Sequence, residues 1–267
     1  PRSSIETFSQ CEQEPGFWLI SMTLQRPNQQ KDKKKGEEKF PPPSSCCFDI
    51  GSHFHLEKNI PIYLFQQTVV NNQLQLQFLA EQAVESDLSL QPLQVTPSTR
   101  SSHSLITQCQ NVPNLLLLGS GIQMATLFYA ARQRSQTLQN ATQTPNVQTL
   151  ALLHSTENFP FKVKPALLMA PNLPPEAIGT STLLEDWQIP NRLASNQDLP
   201  GCFEGSLDDL FSYWLTEITQ QNHSTNASDT PWKVIIFAPE NVQKKCLKVS
   251  HSYDWIHCLD IHQNGSM

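Results

Sequence analysis

The sequence predicts a β + α/β chain: an antiparallel β-barrel followed by a parallel-sheet α/β layer. Three observations predict it. Short apolar runs divided by turn residues fill the stretch 17–108, among them "CCFDIGSHFHL", "IPIYLFQQTVV" and "LQLQFLA". From residue 112 onward the apolar runs become continuous, as expected of strands covered on both faces, and they alternate with segments of helical spacing. The first of these runs, Leu115 to Leu118, passes through Gly119-Ser120-Gly121 straight into a helical pattern.

In chain order, residues 1–14 read as an N-terminal tail, and "GFWLISMTL" (16–24) reads as a strand. "RPNQQKDKKKGEEKFPPPSS" (26–45) is polar, proline-rich and nearly without apolar content, so it reads as a loop inside the first domain. Several strands at this spacing predict a barrel over 15–108. The α/β domain is then 109–267. It holds a strand at 115–118, a helix at 122–138, a strand at 149–155, a short helix in "KPALLMA", a short element in "LLEDWQI" and a helix at 206–219. Ser206 is placed to cap that last helix, with Asp208 and Asp209 in its first turn. "WKVIIFAP" (232–239) is a further buried strand, "ENVQKKCLKVS" a helix and "YDWIHCLDI" a final strand. Segments 135–147 and 220–230 read as polar insertions.

Composition narrows the partners. The chain has 267 residues and a net charge of -6, which argues against nucleic acid. The basic run Lys31 to Lys35 sits beside Glu37 and Glu38 and reads as a solvated loop. Seven scattered cysteines without a CxxC pair predict a reducing, intracellular compartment, cytoplasmic or mitochondrial, rather than a disulfide framework. No apolar run approaches the roughly 18 to 20 residues that span a bilayer. The chain opens on Pro1 rather than Met, so the N-terminus is read as incomplete and a targeting signal stays an open alternative. Cys46, Cys47, His53 and His55 lie close together, but adjacent cysteines suit one zinc poorly, and no metal is expected. Trp187, Trp214, Trp232 and Trp255 read as packing anchors.

A strand that ends in Gly-Ser-Gly and opens a helix can hold an anion, because glycine lets the backbone approach and the helix start offers free N–H groups. The same three residues also serve a tight βα turn. Residue 124 is Met where a Rossmann fingerprint has its third glycine, and no P-loop lysine follows.

The order of elements resembles the ferredoxin–NADP reductase superfamily, which includes the cytochrome b5 reductases. Its "GTGI" appears as Gly119-Ser120-Gly121-Ile122, its polar strand end as His154-Ser155-Thr156-Glu157-Asn158, and its "CGP" as Phe237-Ala238-Pro239. "PIYL" (61–64) falls where "RxYS" binds flavin, and "FDIGSHFHL" (48–56) resembles an upstream barrel strand pair. The resemblance spans roughly 15–262. It implies FAD in the barrel cleft and NAD(P)H on the α/β domain. Gly119, Ser120, Gly121 and Ile122 would hold the NAD(P) pyrophosphate, Pro239, Glu240 and Asn241 would border the nicotinamide end, and Tyr63 would touch flavin.

The departures fall on the chemistry. Pro61 stands where an arginine would clamp the FAD pyrophosphate, and Leu64 where the motif has serine. The second flavin element is at best Ser86-Asp87-Leu88-Ser89, with a carboxylate where a phosphate would sit. Phe237 either blocks the nicotinamide or turns into the core. Two functions follow. One is an FAD-dependent NAD(P)H oxidoreductase that passes electrons to a small redox partner, its catalytic residues not named by the sequence. The other is a non-catalytic scaffold or complex subunit that kept the fold and lost the flavin. A third, unrelated reading is a parallel-sheet interaction protein without nucleotide.

Overall fold

Among the described residues, strand pairing gives two six-stranded sheets that share one core and a separate two-stranded pair. The computed structural model describes residues 5–25, 53–56, 60–71, 73–84, 94–96, 112–140, 147–225 and 231–259. The loop 26–45, the Cys46-Cys47 pair and the Ser86 to Ser89 segment lie outside the described residues.

The first sheet has β1 (Ile5–Glu14), β2 (Phe17–Gln25), β3 (His53–Leu56), β4 (Ile60–Val70), β5 (Gln73–Ala80) and β6 (Gln94–Thr96), in the order β1-β2-β5-β4-β3-β6, all antiparallel. The β1–β2 hairpin turns at Gly16, whose φ of 86° suits glycine. As an edge strand, β1 keeps polar residues on both faces, so periodicity does not announce it. Its Gln10 side chain ties it inward instead, donating to the Val84 carbonyl and accepting from the Val84 N–H, both at 2.8 Å. Along β2 and β5, Ile20, Met22, Leu24, Leu74, Leu76 and Phe78 alternate with polar residues and point into the core.

The second sheet has six parallel strands in the order β12-β11-β8-β7-β13-β14. These are β7 (Asn114–Ser120), β8 (Gln148–Ser155), β11 (Asn191–Ser195), β12 (Phe203–Glu204), β13 (Trp232–Phe237) and β14 (Ile256–Leu259). β9 (Lys164–Pro165) and β10 (Gly179–Thr180) form a separate pair. The helices are α1 (Met124–Asn140), entered through a 3-10 turn at Gly121–Gln123, then α2 (Thr182–Asp186), α3 (Leu207–Thr225) and α4 (Glu240–Ser250).

All seven residues of β7 are buried, as its run of leucines requires. Leu115 and Leu117 face α1 and the antiparallel sheet, while Leu116 and Leu118 face α3 and α4. Helix α1 is therefore covered on two sides and lies between the sheets. Phe65 of β4 meets Phe128 of α1 edge-on at 5.8 Å, and Phe128 meets Phe161 at the same distance. Trp214 packs against Trp232 and Trp255 on the far face, and Trp187 packs on the shared core, as anchors do.

The capping of α3 is as its sequence predicts. The Ser206 N–H donates to Asp209 Oδ2 at 3.0 Å, and the Asp209 N–H donates to Ser206 Oγ at 3.4 Å. "KPALLMA" is not a helix. Its Leu167 and Leu168 N–H groups both donate to the Glu185 carboxylate at 2.9 Å, which removes them from any helical ladder. Prolines at 165 and 171 bound the segment.

Candidate functional site

Strand order reverses around β7. The chain moves outward from β7 to β8 and β11, then returns to β13 on the other side. The crevice beyond the carboxyl ends of β7 and β13 is where an open parallel sheet offers a ligand site. Gly119 pairs in register with Phe237, so Ser120-Gly121 and Ala238-Pro239 leave the sheet side by side.

The two glycines of the turn differ. A Cβ on Gly119 would lie 2.7 Å from Leu127 Cδ1 and 3.2 Å from both Leu153 Cδ2 and Met124 Cγ, so Gly119 lets α1 pack on the strand. Gly121 has φ of 59°, and nothing lies within 4 Å of where its Cβ would be. Gly121 thus sets the turn and faces open space. Ser120, in the N-cap position, has extended backbone and makes no side-chain cap bond. Its hydroxyl instead shares a 3.0 Å hydrogen bond with His154 Nδ1 at the end of β8, the residue opposite it in register. No acidic side chain stands in that first turn.

His154 is 3% exposed, and its Nε2 has no hydrogen-bond partner. Burial holds the imidazole below its ordinary pKa, aided by Lys245; Asn196, Asp208 and Asp209 pull the other way. Asp208 Oδ1 is likewise buried without a partner. Sequence reasoning noticed His154 only as part of a strand end. The signal that finds it is register, since both it and Ser120 close a buried apolar run.

Pro239, Glu240 and Asn241 are exposed at the start of α4, where Glu240 pairs with Lys244 at 2.6 Å. Phe237 is 3% exposed and packs into the shared core, which answers the alternative left open by the sequence. Tyr63 is half-buried on β4 and packs against the cluster that holds Ile122, just past Gly121. Its pKa is raised by burial and by Glu81. Beside it Ile122 and Ala125 bury themselves against Phe17 and Leu79. Pro61 is exposed, and Leu64 belongs to the core. The residues singled out in the sequence therefore gather at one place, with Tyr63 reaching it from the other sheet. Among the described residues no group of three His, Cys, Asp or Glu could hold a metal, and no helix is long and apolar enough to cross a membrane.

No protein-family model matches the chain, and no curated protein sequence is similar to it. Its fold is similar to that of a mutant ferredoxin-NADP+ reductase from Plasmodium falciparum with 2'P-AMP, at 9% identity over 97% of this chain and 95% of that one, TM-score 0.50. It is also similar to flavohemoglobin from Malassezia yamatoensis with bound FAD and heme, at 8% identity over 97% of this chain and 59% of that one, TM-score 0.50. At these identities the likeness is one of fold. The shared fold is an antiparallel sheet followed by a parallel α/β sheet.

Proposed function

We propose that this chain is a ferredoxin-reductase-like scaffold, a subunit of a larger complex, that keeps the fold without the flavin. The observation that carries the reading is the direct contact between the glycine turn and the antiparallel sheet. The resemblance puts flavin against Tyr63, in the barrel cleft. Here Tyr63 packs against a cluster in which Ile122 and Ala125 are buried against Phe17 and Leu79. Pro61 offers no guanidinium to a pyrophosphate, and Leu64 offers no hydroxyl. FAD does not fit these residues, so no hydride step is derived. The division into 15–108 and 109–267 belongs to the same proposal.

A second reading, the FAD-dependent NAD(P)H oxidoreductase, is favoured by one feature: the open space at Gly121 beside an uncapped helix start. In it, Gly119 to Ile122 meet the dinucleotide pyrophosphate, and Pro239, Glu240 and Asn241 border the nicotinamide. A visible spectrum separates the two. The protein is mixed with FAD, gel-filtered and scanned, then treated anaerobically with NADH or NADPH. A colourless, folded protein is expected. Flavin bands that survive filtration and bleach would overturn the scaffold reading in favour of the enzyme.

A further inference from the structure

Among the described residues, five large apolar side chains are exposed: Val69, Val70, Leu167, Met169 and Ile178. The first two end β4 at a hairpin. The other three belong to one short stretch, with Leu167 87%, Met169 86% and Ile178 56% exposed. Single exposed leucines are ordinary. A cluster on a clamped backbone is not.

The clamp has several parts. Glu185 accepts from the N–H groups of both Leu167 and Leu168, and Arg192 Nη2 donates to the Leu168 carbonyl at 3.0 Å. The Ala166 N–H donates to the Ile178 carbonyl at 2.8 Å, and the Gly179 N–H to the Gly201 carbonyl at 2.6 Å. Gly179 and Gly201 approach so closely that a Cβ on Gly179 would lie 2.8 Å from the Gly201 oxygen. Glu185 is only 6% exposed, and its second oxygen has no partner. Burying a carboxylate is costly. Here that cost goes into fixing a backbone whose largest side chains stay in water. Apolar side chains on a preorganised backbone are suited to anchor a protein contact, because little ordering remains to be done on binding.

We propose that Leu167 and Met169 are the anchor pair of a docking surface, and that the occupant is a protein with an apolar groove whose rim is acidic. The protrusion calls for a groove. Exposed Lys162 and Lys164, leading directly into the anchors, call for the acidic rim. The inference deepens the scaffold reading by naming the surface such a subunit would use.

The test sorts a displayed library of small helical domains that carry an apolar groove, half with acidic rims and half with basic rims, against the purified full chain. Acidic-rimmed domains are expected to enrich. The double variant Leu167→Ser/Met169→Ser should weaken them by about thirtyfold or more, the scale of an interface hot spot. Lys162→Glu/Lys164→Glu should weaken them severalfold and remove their salt dependence. That charge variant leaves the core untouched, so it decides the matter if the serine variant fails to fold. Val69→Ser/Val70→Ser should change nothing. Three outcomes overturn the proposal: no enrichment, enriched domains indifferent to these variants, or self-association in sedimentation that the serine variant abolishes. Flavin binding with docking intact would sink only the scaffold reading, and loss of docking without flavin would sink only this one.

Discussion

Gly119 and Gly121 flank Ser120 and carry different constraints. Gly119→Ala drives a methyl into Leu127, Leu153 and Met124, and overpacking of this kind costs about 1–3 kcal/mol. Gly121→Ala meets no atom but strains a left-handed turn by about 1–2 kcal/mol, and Asn should be tolerated better there than Ala. Urea denaturation of the three variants checks this; equal costs for Ala and Asn at 121 would refute the conformational account. His154 gives a pH signature. Its folded-state pKa lies below the ordinary 6.5, so the fold favours the neutral ring. Its contribution is complete above about pH 6.5 and is lost as pH falls below that value. His154→Gln should flatten the difference in stability between pH 7.5 and pH 5.5. An unchanged slope would show that other groups govern it. Both glycines are visible in the sequence, yet nothing in it distinguishes packing from turn geometry, because that depends on what lies across from each Cα.

At the scale of elements, spacing is most informative where burial is complete. Leu115 to Leu118 and Val234 to Phe237 are buried strands, because a parallel strand covered on both faces hides every side chain of a continuous apolar run. Helix α3 is legible from its capping pair and apolar stripe. The segment after Phe161 is not, because its apolar residues resemble a helix face while its amides are claimed by Glu185, eighteen residues away. Arg134 is the clearest example of a constraint between elements. Fully buried, it donates from α1 to Thr149 Oγ1 at 2.7 Å and to the Val112 carbonyl at 2.9 Å, joining the helix to the entry of β7 and β8. Arg134→Met keeps the stem and leaves those acceptors without it. We expect a loss of about 3 kcal/mol in equilibrium unfolding. A loss under 0.5 kcal/mol would mean that water replaces the guanidinium.

At the scale of the molecule, the two sheets share α1. Phe128 touches Phe65 of the antiparallel sheet and Phe161 of the α/β half, and Gln67 of β4 is hydrogen-bonded to Tyr129. A continuous core predicts one cooperative unfolding transition seen alike by tryptophan fluorescence and far-UV circular dichroism. Phe128→Ala should cost about 3–5 kcal/mol and lower both probes' midpoints together. Two separated transitions in the wild-type protein would show that the halves fold independently.

The sequence by itself determined the fold class, the strands β7, β8, β13 and β14, the helices α1, α3 and α4, and the place of the glycine turn. These follow from local periodicity and from turn and cap residues. Tertiary structure alone decided that Phe237 turns into the core, that Ser120 serves His154 rather than its own helix, that Ile122 closes on the antiparallel sheet, and that Leu167 and Met169 are held in water. Each of these is a contact between residues tens of positions apart, or a side chain left without one. Such contacts depend on the distance between elements, a quantity that no run of neighbouring residues encodes.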